Sequence, residues 1–335
     1  MAENEITSKQ EQKINVLVVD DEKSILKLAQ RLVRQEGYDC LVASNGIEAI
    51  AVMEETVIDV VITDIAMPEM GGIELTKQIK ENYSADVIMM TGYFKDLSYE
   101  NAVTQGAKDF IQKPFSTKEF QIRLNRVIKE RETNQELKQS LKRMNDIVNG
   151  VINSLSSTVD ARDPYTAGHQ KRVAQLAIAI ARSMGLEKTI VSSIRMAGIL
   201  HDLGKIAIPA EILSKPSTLS DIEFSLIKTH PQVGFDILKN INFPTPVAMI
   251  VHQHHERMDG SGYPLGLSGN DILPEAKILT VADVVEAMSS HRPYRPGLGM
   301  DKALEEIKKN RDRFYAPDVV DACLKTAAKN FTFHG

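Results

Sequence analysis

The first 130 residues alternate between short apolar runs and segments long enough for a helix. The runs INVLVVDD, DVVITD and DVIMMTG each end in polar residues, and KDFIQKPF has the pattern of a last short strand that leads into a loop. Continuous apolar runs of this length are typical of parallel strands that are buried on both faces. Strands separated by helical segments therefore predict a doubly wound α/β domain with a five-stranded parallel sheet over residues 13–130.

A long helix is predicted next, because the chain contains no proline and only one glycine between about residues 116 and 155. Apolar residues there recur at alternating steps of four and three, which is the spacing of a heptad seam. The seam consists of Leu137, Leu141, Met144, Val148, Val151 and Leu155. We expect a linking helix over residues 116–157 that pairs with a second copy of the chain as a coiled coil. The alternative is a helix that packs only on its own domain.

After about residue 150 strand patterns nearly disappear, and helical segments continue towards the end of the chain. The predicted helices span residues 167–184, 189–200, 221–229, 231–239, 247–254, 274–289 and 302–309. Glycines in GSGYPLGLSG indicate one long loop. The pattern predicts an all-α domain over residues 150–330, so that the whole chain is a multidomain protein with a long helix between its two domains.

Composition and charge narrow the function classes. The 335 residues carry a formal net charge of -5, which gives no general basis for binding nucleic acid or an anionic membrane. No apolar stretch approaches the roughly 18 residues of a membrane span, and the N-terminus has no apolar signal segment. Two distant cysteines, Cys40 and Cys323, form neither a disulfide framework nor a zinc pattern. We therefore expect a cytoplasmic protein with no nucleic-acid partner and no membrane span.

Polar side chains collect at the predicted ends of the strands, and these residues are Asp20, Asp21, Asp64, Thr91 and Lys113. In a parallel sheet the carboxyl ends of the strands meet at one edge. Oxygen ligands favour Mg²⁺ or Mn²⁺, and a carboxylate nucleophile can form an aspartyl phosphate. A single acidic residue at a strand end is usually only solvated. The combination with a hydroxyl and a lysine predicts phosphoryl chemistry.

This N-terminal region resembles the receiver domains of response regulators over about residues 13–130. The matching positions are Asp20-Asp21, Asp64 followed by MPEMGG, Thr91-Gly92 and Lys113-Pro114. The resemblance implies that Asp64 accepts phosphate from a sensor histidine kinase. It implies that Mg²⁺ is bound by Asp20, Asp21, Asp64 and the carbonyl of Ala66. The implied switch residues are Thr91, Phe110 and Lys113.

Histidines are concentrated in the helical half, which holds His169, His201, His230, His252, His254, His255 and His291. Imidazoles combined with carboxylates suit Fe, Mn, Zn or Ni. The adjacent pair His201-Asp202 suits a two-metal site, because one carboxylate can bridge two ions while its neighbour binds one of them. A lone histidine is usually structural, but this set, with Asp283, predicts metal binding. The residues expected at or near helix ends, beside short loops, are His201-Asp202, His230, His254-His255 and Asp283.

Three cations follow the candidate ligands at spacings that suit a bound phosphate. Lys205 lies three residues after Asp202, and on a helix it would return to the same face. Arg292 and Arg295 follow Asp283, and the arginine fork matches phosphate oxygens. The alternative is that these cations form ordinary ion pairs on the surface.

The helical half resembles the HD-GYP family, a branch of the HD phosphohydrolases, over about residues 150–330. Five motifs occur in the family order: RDPYTAGHQKRV, HDLGK, the THP that contains His230, HHERMDGSGYP and VADVVEAMSSHRPYRP. The family hydrolyses cyclic di-GMP to linear pGpG, and some members continue to GMP. The resemblance therefore implies a cyclic di-GMP phosphodiesterase that is controlled by phosphorylation of Asp64.

The same resemblance assigns roles to residues. The implied metal ligands are His169, His201, Asp202, His230, His254, His255 and Asp283, with Asp202 as the bridge. The implied contacts to the scissile phosphate are Lys205, Arg292 and Arg295, so that Asp202 and Lys205 are the candidate catalytic residues. The implied signature loop, which shapes the substrate pocket, consists of Asp259, Gly260, Gly262, Tyr263 and Pro264.

One departure from the family pattern limits the expected chemistry. Some members place a glutamate for a third metal four residues before the first histidine, where this chain has Tyr165. We therefore expect two divalent transition metals, Fe or Mn first and Zn or Ni as alternatives, and pGpG as the main product. His252 is expected to pack rather than bind metal, and His291 receives no role. The rival functions are a non-catalytic cyclic-dinucleotide sensor and a phosphohydrolase for another cyclic dinucleotide.

Overall fold

The chain divides into two structural units, Met1–Arg143 and Met144–Gly335, in a computed structural model. The structure describes residues 13–92, 106–162, 168–215, 217–290, 297–329 and 331–333. None of the helices in these ranges is long and apolar enough to cross a membrane.

The first unit contains a five-stranded parallel sheet in the order β2-β1-β3-β4-β5. The strands are β1 Asn15–Val19, β2 Asp39–Ala43, β3 Val60–Asp64, β4 Asp86–Thr91 and β5 Asp109–Gln112. The helices between the first four strands are α1 Lys23–Gln35, α2 Gly46–Glu55 and α3 Gly72–Asn82. The predicted doubly wound fold is confirmed.

Both faces of this sheet are covered, because successive side chains of a strand point to opposite sides. Val16 and Val18 of β1 belong to one core, which includes α1 and the start of the long helix that follows β5. Phe120 of that helix is fully buried. Leu17 and Val19 belong to the opposite core, formed with α2 and α3. Burial on both faces explains the apolar runs in the sequence.

A single helix of 46 residues, α4 Thr117–Arg162, links the two units, and the predicted long helix is confirmed. Phe120 and Leu124 pack at its start, and Ile152 and Val159 are buried near its end. Between them the apolar seam is exposed, with exposed fractions from 39% to 59% at Leu137, Leu141, Met144, Val148, Val151 and Leu155. Pairing with a second copy stays a prediction.

Among its described residues, the second unit has helices joined by loops and no strands, apart from two isolated β-bridges. Its helices are α5 His169–Ser183, α6 Lys188–Leu200, α7 Ala210–Leu213, α8 Asp221–Ile227, α9 His230–Leu238, α10 Val247–Gln253, α11 Pro274–Ser289, α12 Met300–Lys309 and α13 Pro317–Ala327. A 3-10 turn, Leu203–Ala207, follows α6, and another spans Gly269–Asp271. The sequence pattern did not predict α7 or α13.

Candidate functional sites

The acidic residues of the first unit meet at the carboxyl edge of the sheet. Ligand oxygens of Asp20, Asp21 and Asp64 lie within 4.8 Å of one another. The ammonium of Lys113 lies 2.7 Å from Asp20 Oδ2 and 3.2 Å from Asp64 Oδ2. Three carboxylates and one lysine are therefore grouped as the strand pattern requires, and the oxygen donors suit Mg²⁺.

The carboxyl group of Asp64 is affected by its burial and by its backbone contacts. Burial raises the pKa of Asp64 above its ordinary value, and the neighbouring Lys113 ammonium only partly offsets this effect. The Asp64 Oδ1 atom accepts a hydrogen bond from the backbone of Ile65 at 2.9 Å, which fixes the orientation of the carboxylate. Ala66, whose carbonyl was predicted to bind Mg²⁺, is exposed two residues further on.

The predicted switch residues lie on or directly after the last two strands, β4 and β5. Thr91 is 9% exposed at the end of β4, and its carbonyl accepts a 2.7 Å hydrogen bond from the backbone of Lys113. Phe110 lies on β5 and its ring faces the guanidinium of Arg123, with 4.9 Å from Cζ to the ring centroid. Arg123 also donates to the buried Asp109 at 2.9 Å.

In the second unit, six of the seven predicted ligands lie at the boundaries of helices. His169 begins α5, His230 begins α9, His201-Asp202 follow α6 and His254-His255 follow α10. Asp283 is different, because it lies in the middle of the buried helix α11 and not near a helix end as expected. A residue inside this helix can reach the cluster because α11 passes through the core of the unit.

The ligand atoms of these residues form three overlapping groups, each within 4.8 Å, and the groups are His230-His254-His255, His169-His201-Asp283 and His201-Asp202-His254. His169 Nε2 lies 3.1 Å from Asp283 Oδ1, and His230 Nε2 lies 3.2 Å from His254 Nε2. Asp202 lies between them: its Oδ1 is 3.5 Å from His230 Nε2, and its Oδ2 is 3.5 Å from His201 Nε2. All seven predicted ligands are thus in one cluster.

The imidazoles are oriented by backbone carbonyls three residues before them. Nδ1 of His201, His230 and His254 bonds the carbonyls of Gly198, Ile227 and Val251 at 2.7, 2.8 and 2.6 Å. This contact places the proton on Nδ1 and turns the Nε2 lone pair towards the cluster. His201 Nε2 is buried without a hydrogen-bond partner among the described residues. A buried, unsatisfied lone pair among imidazoles and carboxylates fits a metal ligand.

Electrostatics in the cluster also fit a bound cation. Burial lowers the pKa of His255 to about 4 and, together with the charge of His255, that of His230 to about 3, so both rings stay neutral donors. Burial opposes ionisation of Asp202, but the Lys205 ammonium and the imidazoles of His201, His230 and His169 together outweigh it, and the pKa of Asp202 falls well below its usual range. Burial likewise lowers the pKa of His169, but hydrogen bonds with Asp283 and Glu286 raise it to about 9. A metal ion on His169 would displace that proton.

Glu286 holds His169 and was missed in the sequence. One carboxylate oxygen contacts His169 Nδ1, and the other accepts from Arg172 Nε at 2.6 Å. The carboxylate is 1% exposed. A signal for it existed, because Glu286 follows Asp283 by three residues and therefore lies on the same face of α11.

A close approach of two backbones brings the cluster together. A Cβ at Gly204 would lie 1.9 Å from the carbonyl oxygen of His230 and 2.6 Å from the nitrogen of Gly234. Only a glycine allows the turn after Asp202 to pack so closely on α9. Neither Gly204 nor Gly234 was predicted to have a role.

Lys205 is brought to the cluster by this turn. Its Nζ lies 2.8 Å from Asp202 Oδ2, which leaves the ammonium beside the candidate bridging carboxylate. The turn is a 3-10 helix and not an α-helix, but a spacing of three residues still returns the side chain to the same face.

The signature loop contacts the cluster through Tyr263. The Tyr263 ring lies 4.7 Å from the His255 ring, centroid to centroid, and its backbone nitrogen donates to the His255 carbonyl at 3.2 Å. A Cβ at Gly262 would lie 2.5 Å from the Arg257 nitrogen, so glycine is required there. The buried carboxylate of Glu256, also missed, accepts from the backbone of Leu265 and Leu267 at 2.7 and 3.0 Å and holds the loop.

The other predicted loop residues, on either side of Gly262 and Tyr263, belong to the same loop. Asp259 bonds the backbone and hydroxyl of Ser261 at 3.0 and 2.6 Å and lies 3.6 Å from Arg313. Gly260 has a φ of 77°, which glycine adopts without strain. Pro264 follows Tyr263 through a cis peptide bond. These contacts serve the shape of the loop.

Some predictions concern residues outside the described ranges, namely Tyr165, His291, Arg292 and Arg295. His252 is described, and it is absent from the three metal-ligand groups. It bonds Gln232 at 2.8 Å and stacks on Phe235 with ring centroids 4.7 Å apart, as expected for a packing residue.

The fold and the two clusters define a phosphoacceptor domain of the receiver type joined by a long helix to a helical domain that carries the donor set of a metal-dependent phosphohydrolase. Comparison with known proteins agrees with this class. The family model described as response regulator receiver domain matches residues 16–125, and the model described as HD domain matches residues 153–319.

Two relatives match over nearly the whole chain. A cyclic di-GMP phosphodiesterase of Thermotoga maritima is 34% identical over 333 residues, which cover 93% of this chain and 90% of that protein. The cyclic di-GMP phosphodiesterase response regulator RpfG of Xanthomonas campestris pv. campestris is 31% identical over 334 residues, covering 94% and 88%. The chain therefore belongs to the family of phosphodiesterase response regulators in which an HD domain follows a receiver domain.

A third relative matches about half of the chain. The 3'3'-cGAMP-specific phosphodiesterase 3 of Vibrio cholerae is 35% identical over 175 residues, which cover 52% of this chain and 38% of that protein.

Proposed function

We propose that the chain hydrolyses cyclic di-GMP to linear pGpG at two divalent transition-metal ions in its helical domain. The observation that carries the proposal is the position of Asp202. Its two oxygens face different imidazoles, His230 on one side and His201 on the other, each at 3.5 Å. A carboxylate in this position can bridge two ions, as in two-metal phosphoesterases.

The donor set divides naturally around that carboxylate. The first ion would be held by His169, His201, Asp202 and Asp283, and the second by Asp202, His230, His254 and His255. Five imidazoles and two carboxylates suit Fe or Mn, with Zn or Ni as alternatives. When bound, such ions lower the pKa of water and neutralise charge on the phosphoryl oxygens. Tyr165, in place of a third-metal glutamate, supports two ions and pGpG as the main product.

The chain's own cations would orient the scissile phosphate. We assign this role to Lys205, which lies beside Asp202, and to Arg292 and Arg295, whose forks suit phosphate oxygens. The preorganised ammonium would stabilise charge as it develops on the non-bridging oxygens. The loop of Asp259, Gly260, Gly262, Tyr263 and Pro264 would shape the wall of the substrate pocket, with Tyr263 nearest the metal ligands.

Regulation is assigned to the receiver. Asp64 would accept phosphate from a sensor histidine kinase, with Mg²⁺ held by Asp20, Asp21, Asp64 and the carbonyl of Ala66. Thr91, Phe110 and Lys113 would respond to the phosphoryl group. We further propose a homodimer through the exposed apolar seam of α4, because such a seam is otherwise costly in water.

A second substrate has a specific observation in its favour. The relative of Vibrio cholerae that matches about half of this chain is named for 3'3'-cGAMP, which has the same cyclic diester ring with one different base. The residues assigned above bind metal and phosphate and do not distinguish these bases. The ratio of kcat/KM for the two dinucleotides, measured on one preparation, decides between them.

The test is a turnover assay on full-length protein purified without chelating resin, with metal analysis of the same sample. We expect two transition-metal ions per chain and conversion of cyclic di-GMP to pGpG. His201→Ala should lose both metal and turnover, whereas His252→Ala, which changes a packing histidine of the same unit, should retain them. A metal-loaded wild-type protein that binds the dinucleotide without turnover would instead be a sensor.

A further inference from the structure

The last turn of α4 contacts two backbone segments, one directly before the candidate ligand His169 and one directly after Lys205. Asp160 Oδ2 accepts a 3.4 Å hydrogen bond from the backbone nitrogen of Gly168, the residue directly before His169. Arg162 donates from Nη1 to the carbonyl of Ile206 and from Nη2 to the carbonyl of Ile208, the latter at 3.3 Å. The end of the linking helix is thus tied to the chain before His169 and just after Lys205.

This end of α4 is embedded in the second unit. Ile152, Ser156 and Val159 are 8%, 6% and 2% exposed, and Ile152 and Val159 belong to the same apolar core as α5 and α6. Because packed interiors are dense, a displacement of this part of the helix moves the groups that contact it. The other end of the same helix begins in the first unit, where Phe120 is fully buried.

The two carbonyls that Arg162 binds adjoin the turn that carries Lys205. Two backbone hydrogen bonds lie at the ends of that turn: Lys205 N donates to Asp202 O at 2.9 Å, and Ile208 N donates to Lys205 O at 3.0 Å. A guanidinium can bind two carbonyls at once through separate nitrogens, which an ammonium does with poorer geometry. Arg162 therefore restrains the turn at the position where Lys205 points to Asp202.

We propose that Arg162 is a positioning residue for Lys205, and that α4 acts on hydrolysis through its bonds to the carbonyls of Ile206 and Ile208. The inference deepens the proposed function and rests on it for its kinetic readout. Movement of the helix end would shift the Lys205 ammonium relative to Asp202, and a misplacement of about 1 Å can cost about 100-fold in rate.

The kinetic test compares Arg162, which belongs to α4, with Arg195, which contacts α4. Arg162→Met in the metal-loaded full chain should lower kcat by about 10- to 100-fold with unchanged metal content, and Arg162→Lys should recover part of the loss. The control is Arg195→Met, because Arg195 Nη2 donates to Asn149 Oδ1 of α4 at 2.7 Å without contact to the turn. Wild-type kcat in Arg162→Met, or an equal loss in Arg195→Met, overturns the proposal.

A second measurement does not depend on turnover. Hydrogen exchange of residues 202–208 in the full chain should speed up in Arg162→Met and not in Arg195→Met. Beryllofluoride, a phosphate mimic for Asp64, should change exchange of this peptide in the wild type and have no effect in Arg162→Met. Unchanged exchange in Arg162→Met defeats this inference, whereas a wild type that has no turnover, with the expected exchange pattern, defeats only the proposed function.

Discussion

The two clusters of this chain are built on opposite plans. In the receiver, three carboxylates meet at a sheet edge and one lysine, Lys113, contacts two of them, with Asp21 exposed. In the helical domain, the carboxylate of Asp202 is 2% exposed among imidazoles whose rings are anchored to backbone carbonyls. The first plan suits a group that must be reached by a phosphodonor and later released. The second suits ligands that keep one geometry.

The pKa values of the central carboxylates of the two clusters, Asp64 and Asp202, are shifted in opposite directions. Burial raises the pKa of Asp64, whereas the Lys205 ammonium and the surrounding imidazoles together hold the pKa of the more deeply buried Asp202 well below its usual range. An acceptor carboxylate works as a nucleophile that gains a phosphoryl group, and a bridging ligand works as a permanent anion. This contrast can be tested with variants that should affect one cluster and leave the other unchanged.

The largest expected effect separates the two carboxylates. Asp202→Asn should reduce kcat by about 10³-fold or more, since a metal clamp contributes several kcal/mol and each 1.36 kcal/mol is tenfold. Asp64→Asn should retain basal hydrolysis and lose only the response to a phosphodonor. Steady-state turnover with and without acetyl phosphate measures both. Equal losses in the two variants would show that the receiver carboxylate also serves hydrolysis.

Sequence patterns located the two clusters with unequal detail. Asp20, Asp64 and Lys113 were found because a parallel sheet brings strand ends to one edge, a rule that needs no knowledge of packing. The histidines were found by their concentration and by motifs. Glu286, Gly204 and α13 were missed, because what defines them is contact with distant segments. Asp283 was expected near a helix end, but only the buried path of α11 shows how a mid-helix residue reaches the cluster.

Glycines provide the next contrast, because each cluster has a glycine that packs closely on the backbone of one of its ligands. A Cβ at Gly204 would lie 1.9 Å from the His230 carbonyl oxygen, and a Cβ at Gly72 would lie 2.1 Å from the Asp64 carbonyl oxygen. We expect each alanine variant to cost about 3 kcal/mol of stability in its own domain, near the upper end for overpacking. Calorimetry that resolves two transitions measures this, with metal analysis for Gly204→Ala and phosphorylation for Gly72→Ala.

The matched control is Gly150 in α4, where a Cβ would meet no atom within 4 Å. Gly150→Ala should stabilise the chain by up to about 1 kcal/mol, because alanine favours a helix interior. If Gly204→Ala behaves like Gly150→Ala, the backbones of the turn and α9 are further apart than the structure places them.

The pH dependence of the metal-stripped protein should come from the histidine cluster on the alkaline side. The pKa of His169 is about 9 in the fold against an ordinary 6.5, so its protonated form stabilises the fold. This contribution is fully present below pH 6.5 and is lost as pH rises through 9. The loss amounts to about 3 kcal/mol over this window. Denaturant midpoints of the helical-domain transition, from pH 6.5 to 9.5, measure it.

The receiver offers the contrast for this experiment. The pKa of Asp64 is raised from a lower ordinary value, so its contribution changes only in acid. The receiver transition should therefore be flat from pH 6.5 to about 8, below the range in which the thiol of Cys40, whose pKa burial raises from 9.0, begins to ionise in the unfolded chain. Metal loading should also flatten the alkaline limb, because the ion replaces the proton on His169. A slope that persists in the metal-loaded protein would assign the effect to another group.

The smallest expected effect concerns Glu286, a carboxylate that has no counterpart among the receiver contacts described above. Glu286→Gln keeps the size of the side chain and removes the charge that orients His169 through Nδ1. Such a loss behind a metal ligand typically costs about 10- to 100-fold in metal affinity. Competition with a chelator measures this change, and the alkaline limb of the stripped protein should become shallower in the same variant.

Glu275→Gln, in the first turn of the same helix, is the matched control and should bind metal like the wild type. If Glu286→Gln also keeps wild-type affinity, His169 is held by its position at the start of α5 alone, and the cluster is then as loosely supported as the receiver carboxylates.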